Sequence, residues 1–266
     1  NGTRVFYTAH GFHFYKGAPL KNWLMYYPIE KFMCRYTDTL ITITEEDYKR
    51  ATARFRVQAV RTHGVGAAAA RFTPATEAET RTLRHQFGWS ADETIILCTG
   101  ELLKNKNQAV LLRALPAILQ SQPRTRVMLA GNGPEKDNLE QLARQLGISG
   151  NVEMLGYRTD LEQLVKAADF IVSCSFREGL PLNIMEGMLC RKPIVASQNR
   201  GHRELITHRQ EGILFPPGNA AALSTALLQL ITTPAHAQQL AAAACAKAQQ
   251  YTDTAVTREL RELYSL

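Results

Sequence analysis

The run Phe170-Ile171-Val172-Ser173-Cys174-Ser175-Phe176-Arg177-Glu178-Gly179-Leu180-Pro181-Leu182-Asn183-Ile184-Met185-Glu186 joins a short apolar segment to a helical one. Its first six residues have the length and apolarity of a buried strand, and Pro181 stands where a helix can begin. A strand that ends in a Gly-containing turn before a helix places backbone N–H groups at the carboxyl edge of a parallel sheet. Such edges bind phosphates. The run therefore predicts a parallel α/β sheet with an anion-binding edge.

The same alternation of short apolar and longer amphipathic segments begins at residue 94. Strands that are apolar on both faces need helices on both sides of the sheet, which predicts a doubly wound Rossmann-like domain. Its predicted strands are 94–100, 126–131, 151–156, 170–175, 193–197 and 212–215, and its predicted helices are 106–121, 134–147, 160–168 and 182–191.

The first 74 residues have an incomplete version of this pattern, with strands at 5–9, 39–44 and 57–62 and helices near 20–36 and from Glu45. Thr44 is predicted to cap the second of these helices. The Gly- and Ala-rich segment 63–74 is interpreted as a linker. We therefore expect a partial domain with its linker over 1–74, a complete domain over 75–234, and helices over 235–266 that pack back on the first domain.

Composition limits the choice of partners. The net charge of +7 among 266 residues suits nucleotide diphosphates or anionic lipid surfaces, although a solvated basic surface with no dedicated partner is equally compatible. The basic residues are dispersed along the chain, so no nucleic-acid role is expected. Five cysteines without C-x-x-C spacing indicate reduced core residues of a cytoplasmic protein.

The ends and flanks of the chain add two expectations. No signal peptide or membrane-length apolar run is present, so the protein is expected to be peripheral to the inner face of the cell membrane at most. Because the chain opens on Asn1 and a strand-like segment, its first ~100 residues are expected to be missing.

The aromatic and basic stretch 12–36, which includes Lys16, could line an acceptor site, touch a membrane, or simply pack on a sheet.

Glu178 and Glu186, with seven residues between them, resemble the E-x7-E signature of retaining glycosyltransferases of family 4. The Glu-Gly-Leu-Pro that begins at Glu178 is also typical of that family, and the resemblance extends from about Phe6 to Pro217. It implies a GT-B fold, in which the complete Rossmann-like domain binds a nucleotide sugar and the partial one, also Rossmann-like, lies on the acceptor side.

The resemblance also implies roles for single residues. Glu178 and His10 are carried over as the catalytic residues that face the donor sugar, and Glu186 as the residue that binds the ribose diol. The remaining donor-binding candidates are Lys106 and the amides of Gly179 and Leu180 for the diphosphate, Gly131 in a Gly-x-Gly-Pro turn, and Tyr157 for the base. Structural alternatives stay open: a solvated lysine for Lys106, a tight turn for Gly131, a loop or core histidine for His10.

The expected function is transfer of a sugar from a nucleotide-diphosphate donor, with UDP as the expected nucleotide, to a polysaccharide or lipid-linked acceptor, as in capsule or exopolysaccharide synthesis. The family implies retained configuration, no cofactor and no metal. Glu101 stands where family members commonly have Arg, which removes one cation from the diphosphate site. The alternatives are a truncated, non-catalytic module that binds a nucleotide sugar or a partner, and a sugar-nucleotide epimerase.

Overall fold

A computed structural model describes residues 2–15 and 17–265; Lys16, part of the aromatic and basic stretch, lies outside the described residues. Contacts divide the chain into two compact units. The first comprises the residues up to Gly66 together with those from Asp253 onward, and the second comprises Ala67–Thr252. Both are α/β units built on parallel strands.

The first unit has a parallel sheet in the order β1-β2-β3, formed by β1 (Phe6–Ala9), β2 (Thr39–Thr42) and β3 (Gln58–Arg61). Helix α1 (Leu20–Met33) continues into a short 3-10 turn, and α2 (Glu45–Arg54) follows β2. The predicted cap is confirmed, because the Thr44 side chain accepts a hydrogen bond from the Asp47 N–H.

The second unit has six parallel strands in the order β6-β5-β4-β7-β8-β9. They are β4 (Thr94–Thr99), β5 (Thr125–Ala130), β6 (Val152–Gly156), β7 (Phe170–Ser173), β8 (Ile194–Ser197) and β9 (Ile213–Phe215). The helices are α3 (Glu77–Gln86), α4 (Ala109–Leu119), α5 (Lys136–Gln145), α6 (Leu161–Ala167), α7 (Leu182–Leu189), α8 (Arg200–Leu205), α9 (Ala220–Thr232) and α10 (Pro234–Ala248). The sheet is doubly wound, as predicted.

Both faces of this sheet are buried. On β4, Ile96 and Cys98 belong to one hydrophobic core, while Ile95 and Leu97 belong to the other. Because successive side chains of a strand point to opposite faces, this division means that helices cover both sides. The ends of the predicted strands lie within two residues of the ends of the observed strands.

Two predicted segments differ from the observed structure. Helix α4 begins at Ala109 rather than 106, because residues 104–106 form a turn. In the predicted linker 63–74, Ala67 and Phe72 are buried in the core of the second unit, so only the part up to Gly66 lies outside that unit. Small alanines gave this segment the composition of a linker, although they pack well in a core.

The C-terminal helices belong to different units. Helix α10 packs against α7, and its Ala244 and Ala248 are buried in the second unit. The last helix, α11 (Asp253–Tyr264), belongs to the first unit, where the Tyr264 ring contacts Phe6 edge-on at 4.9 Å between centroids. The sequence had grouped both helices over 235–266, since both have a helical pattern.

Two glycines bring the loops after β4 and β5 together. A Cβ on Gly131 would lie 2.0 Å from the carbonyl oxygen of Gly100, and a Cβ on Gly133 would lie 2.4 Å from that of Leu102. Real Cβ atoms do not approach backbone this closely, so only glycine allows these loops to pack. For Gly131, the tight-turn alternative from the sequence therefore has direct structural support.

Gly131→Ala is expected to lower the unfolding free energy by about 2–3 kcal/mol, because the added methyl group must push two backbone segments apart. Chemical denaturation of the two proteins measures the difference. Gly150→Ala is the matched control, since a Cβ there meets nothing within 4 Å. Equal stabilities of the two variants would contradict the proposed backbone contact.

Candidate active site

The order of strands reverses between β4 and β7, which creates a switch point at the carboxyl edge of the sheet. In open α/β sheets, ligands bind in the crevice at such points. Two hydrogen bonds join the loops that follow these strands: the Phe176 N–H donates to the Asn105 carbonyl at 2.8 Å, and the Asn105 side-chain amide donates to the Arg177 carbonyl at 3.0 Å. The two loops are thus joined by one bond between backbone groups and by one bond from the Asn105 side chain.

Lys106 and Glu178, one from each loop, meet at this switch point. The Lys106 Nζ lies 2.7 Å from the Glu178 Oε1, and both side chains are largely buried. The Lys106 stem runs past Gly100, whose missing side chain leaves room for it. The structure therefore brings together the residues that the resemblance assigns to the diphosphate and to the donor sugar.

The turn at Gly179 and Leu180 leads directly into α7, whose N-cap residue is Pro181. Pro181 supplies no side-chain cap to this helix, and in its first turn the Asn183 Oδ1 accepts from the Ile184 N–H at 3.0 Å. The Asn183 amide donates to the Thr99 carbonyl at 3.0 Å, which fixes the start of α7 to the end of β4. The partial positive charge of a helix N-terminus, like the ammonium of Lys106, is suited to an anion.

Glu186 lies one turn further along α7 and is half-buried. Burial raises the pKa of its carboxyl to about 7. The nearby Arg71 guanidinium acts to lower this pKa, and the Glu162 carboxylate acts to raise it. Arg71 is itself held by Glu162 at 2.6 Å and by the Thr159 carbonyl at 3.3 Å. Glu186 thus lies beside Arg71 and Glu162, and Glu178 beside Lys106.

The segment that starts at Asn199 supports the Glu178 turn. Asn199 caps α8 by accepting from the His202 N–H, and its amide donates to the Ser175 carbonyl at 2.9 Å. A Cβ on Gly201 would lie 2.4 Å from the Gly179 carbonyl oxygen and 2.9 Å from the Glu178 Cβ. The segment thus has a structural role, since it packs directly on the turn that carries Glu178.

Tyr157 follows β6 and is exposed over 76% of its surface, on the same carboxyl edge. Phe176, which follows β7, is also exposed. Exposed aromatic rings at this edge offer apolar faces to a planar ligand. Gly131 lies between them in the strand order, where it contacts backbone.

His10 belongs to the first unit and is exposed directly after β1. The loop that carries it is anchored two residues later, where the Phe12 N–H donates to the fully buried carboxylate of Asp47 at 3.2 Å. His13 stacks on Tyr26 at 4.5 Å between ring centroids. The exposed position of His10 leaves its imidazole accessible.

The sequence did not indicate two residues of this site. Asn105 lies in the loop after β4, and its contacts with the loop after β7 require the folded chain. Arg71 lies in the segment that was interpreted as a linker, so no pattern placed it next to Glu186.

Burial also sets the chemistry of the thiols. Four of the five cysteines are buried and all five are free, as expected. Desolvation raises the pKa of the Cys98 and Cys190 thiols to about 12, so neither is a nucleophile near neutral pH. Across residues 2–15 and 17–265, no group of three or more His, Cys, Asp or Glu side chains is arranged to hold a metal ion.

The outer face of α1 is apolar and basic. It exposes Leu20, Leu24, Met25, Ile29, Phe32 and Met33, and no residue of this helix is buried within the described part of the chain. Its single acid, Glu30, is partly buried and accepts from the Tyr7 hydroxyl at 3.1 Å. No helix among the described residues is long and apolar enough to span a bilayer.

Comparison with known proteins identifies relatives. The family Glycosyl transferases group 1 matches residues 79–247. EpsD of Bacillus subtilis (strain 168), which is named as a glycosyltransferase, is 40% identical over 267 residues, spanning 100% of this chain and 70% of the relative. A GDP-mannose-dependent monoacylated alpha-(1-6)-phosphatidylinositol monomannoside mannosyltransferase of Corynebacterium glutamicum is 28% identical over 182 residues, or 65% of this chain and 47% of that protein.

Among solved structures, Anabaena HepE in complex with UDP-glucose is similar to this chain with a TM-score of 0.85 and 25% sequence identity. The match covers 99% of this chain and 72% of HepE. Structural neighbours of this kind have the GT-B fold, which agrees with the two parallel-sheet units described above.

Glu186→Gln is expected to change how stability depends on pH. A carboxyl whose pKa rises from 4.5 when unfolded to about 7 when folded stabilises the fold below pH 4.5 and loses that stabilisation as the pH rises to 7. The wild type should therefore lose stability over this range, whereas the variant should not, and at pH 8 the variant should be more stable by roughly 1–3 kcal/mol. Denaturation at several pH values measures this.

Asp137→Asn, at an exposed position of α5, is the matched control and should follow the wild type. A difference between wild type and Glu186→Gln that stays constant from pH 5 to pH 8 would mean that burial does not perturb this carboxyl.

Proposed function

We propose that this chain, which belongs to the family of group 1 glycosyl transferases, moves a sugar from a nucleotide-diphosphate donor to a hydroxyl of a polysaccharide or lipid-linked acceptor. The observation that carries the proposal is the Lys106–Glu178 pair at the switch point, 2.7 Å apart beside the start of α7. One cation and the amides of a turn that opens a helix suit a diphosphate, and a carboxylate suits sugar hydroxyls.

In the proposed reaction, the acceptor hydroxyl oxygen forms a bond to the anomeric carbon of the donor sugar. The bond between that carbon and the diphosphate oxygen breaks, and the hydroxyl proton passes to the departing diphosphate. Negative charge accumulates on the diphosphate as this bond breaks, so Lys106 and the amides of Gly179 and Leu180 would stabilise the transition state more than the ground state. Retention of configuration and independence from metals and cofactors are proposed on the family resemblance.

The remaining site residues are proposed in the following roles. Glu178 accepts hydrogen bonds from the donor sugar, and Glu186 accepts them from the ribose diol. Tyr157 supports the base, and Gly131 shapes the floor of the crevice. His10 is proposed as the second catalytic residue, which faces the donor sugar, on the resemblance and on its exposed position after β1.

UDP is proposed as the nucleotide. The HepE structure is in complex with UDP-glucose, and its 25% identity to this chain supports the choice. The mannosyltransferase relative is named as GDP-mannose-dependent and acts on a phosphatidylinositol mannoside, so its name supports a lipid-linked acceptor. The similarity to EpsD supports glycosyl transfer, and a role in capsule or exopolysaccharide synthesis is proposed on the family resemblance.

The two alternatives are not favoured by these similarities. The relatives above that carry an activity in their names are glycosyl- or mannosyltransferases, and none is named as an epimerase. The Lys106–Glu178 pair also supports an active enzyme, because it supplies both a cation for a diphosphate and a carboxylate for sugar hydroxyls.

Glu178→Ala is expected to lower sugar transfer from UDP-glucose by about a hundredfold or more, because the donor sugar loses the carboxylate that orients it. The measurement is release of UDP and gain of acceptor mass by the purified protein. Glu262→Ala removes an exposed carboxylate of α11 and should leave the rate unchanged. Full activity of Glu178→Ala would remove Glu178 from the mechanism.

We further propose that the protein is cytoplasmic and that the outer face of α1 contacts the inner face of the cell membrane. The exposed apolar residues of this helix are flanked by the exposed basic residues Lys21, Lys31 and Arg35, and Glu30 is turned inward. Apolar side chains can enter the headgroup region of a bilayer while lysine and arginine bind anionic lipids. A lipid-linked acceptor would lie at the same surface.

The triple variant Met25→Ser, Ile29→Ser, Phe32→Ser is expected to lose most of the wild type's binding to vesicles that contain phosphatidylglycerol. Flotation measures the bound fraction, and vesicles of phosphatidylcholine alone should bind the wild type weakly because they lack the negative charge. Val65→Ser alters an equally exposed apolar residue elsewhere in the first unit and should bind normally. Wild-type protein that floats with neither vesicle would refute the membrane contact.

A further inference from the structure

The ion pair between Lys106 and Glu178 occupies the groups that a donor would need. The Lys106 Nζ lies 2.7 Å from the Glu178 Oε1, and the two side chains retain 26% and 13% of their exposure. In this half-buried crevice each charge is costly to leave without a partner. A ligand that takes one member of the pair must therefore compensate for the loss of the other.

The pair can open without moving the loops that carry it. Asn105 joins the two loops through its carbonyl and its side-chain amide, bonded to Phe176 and Arg177. Neither bond involves the charged groups of Lys106 or Glu178. The two side chains are thus held on facing loops and can exchange partners by rotation alone.

His202, which is close enough to Glu178 for their charges to interact, does not act as a second cation. His202 is fully buried, and its Nδ1 lies 2.6 Å from the Ser197 carbonyl oxygen, which only accepts, so this nitrogen carries the proton. The Nε2 is then an unprotonated acceptor, and it has no hydrogen-bond partner among the described residues. Burial lowers the pKa of His202 to about 4, and Glu178 and Lys106 are the charged groups that act on it. At neutral pH this imidazole is uncharged.

We propose that Lys106 and Glu178 give up their mutual ion pair in order to bind the two parts of the intact donor. This exchange of partners makes the site prefer a nucleotide sugar over the nucleotide diphosphate that is left after transfer. The diphosphate takes Lys106, and the sugar hydroxyls take Glu178. A nucleotide diphosphate alone satisfies Lys106 but takes that ammonium away from Glu178 without a replacement from the ligand. The inference rests on the proposed function and deepens it.

The same exchange promotes product release. Once the sugar has moved to the acceptor, the Glu178 carboxylate is free to bind Lys106 again, and it competes with the diphosphate for that ammonium. Binding of the diphosphate therefore disfavours the ion pair, and the ion pair disfavours binding of the diphosphate. Binding of the sugar, in contrast, favours binding of the diphosphate, because it occupies Glu178. Glu178 thus acts as a specificity-determining residue in addition to its contact with the sugar.

The decisive experiment is titration of UDP by calorimetry at pH 7.5 and fixed ionic strength. Glu178→Gln removes the competitor for Lys106 and is expected to bind UDP about three- to tenfold more tightly than the wild type, while transferring sugar poorly. The ratio of UDP to UDP-glucose dissociation constants should fall, because the variant gains affinity for the product alone.

Glu77→Gln is the matched control, since it removes the same charge from an exposed side chain of α3 in the same unit. Unchanged UDP affinity in Glu178→Gln, or an equal gain in Glu178→Gln and Glu77→Gln, would overturn the inference, because the effect would then be absent or only long-range. In the background of Lys106→Met, the further change Glu178→Gln should no longer tighten UDP binding. Tightening that persists there would also overturn it.

The outcome separates the inference from the proposed function. GDP is titrated in parallel with UDP, and wild-type protein that binds neither nucleotide would refute both proposals. Wild-type protein that binds a nucleotide and transfers sugar, with a Glu178→Gln variant that binds it no more tightly, would leave the proposed function standing and refute only the partner exchange. Thermal melts of each variant verify that the protein is folded.

Discussion

The parallel alignment of β4 and β7, at the point where the strand order reverses, is the constraint on which the candidate site depends. Strands wound outward on both sides leave their following loops side by side at this one edge. The Asn105 contacts then fasten the two loops, and the fastening brings an ammonium and a carboxylate together from positions 72 residues apart in the chain. The chemistry of the crevice is therefore a consequence of strand order.

Much of the fold could be predicted because local and global signals agree. Strands buried on both faces appear as short continuous apolar runs, and Gly or Pro marks their ends, so every predicted strand lies close to its observed position. The location of the site was predictable for the same reason. Glu178 follows a buried strand, and any residue after such a strand lies at the carboxyl edge.

The features that the sequence did not predict depend on tertiary packing, which a linear pattern of residues does not contain. Ala67 and Phe72 are buried although their segment has a linker's composition, since alanine is equally common in flexible and in tightly packed backbone. The proximity of Arg71 to Glu186 follows from that same burial. Helix α4 starts late because the preceding residues are engaged with the neighbouring loop, a tertiary effect that overrides local helix propensity.

The contact of Gly131 with the Gly100 carbonyl also limits how such a crevice can diversify. Where main chain rests on main chain, no side chain is available to be exchanged, and neither loop can gain a residue without displacing the other. Under the proposed function, changes in ligand preference would arise at rim positions such as Tyr157, whose exposed ring can be replaced without disturbing the floor. The crevice thus combines a floor of backbone, which side-chain substitutions do not reshape, with a rim that they do.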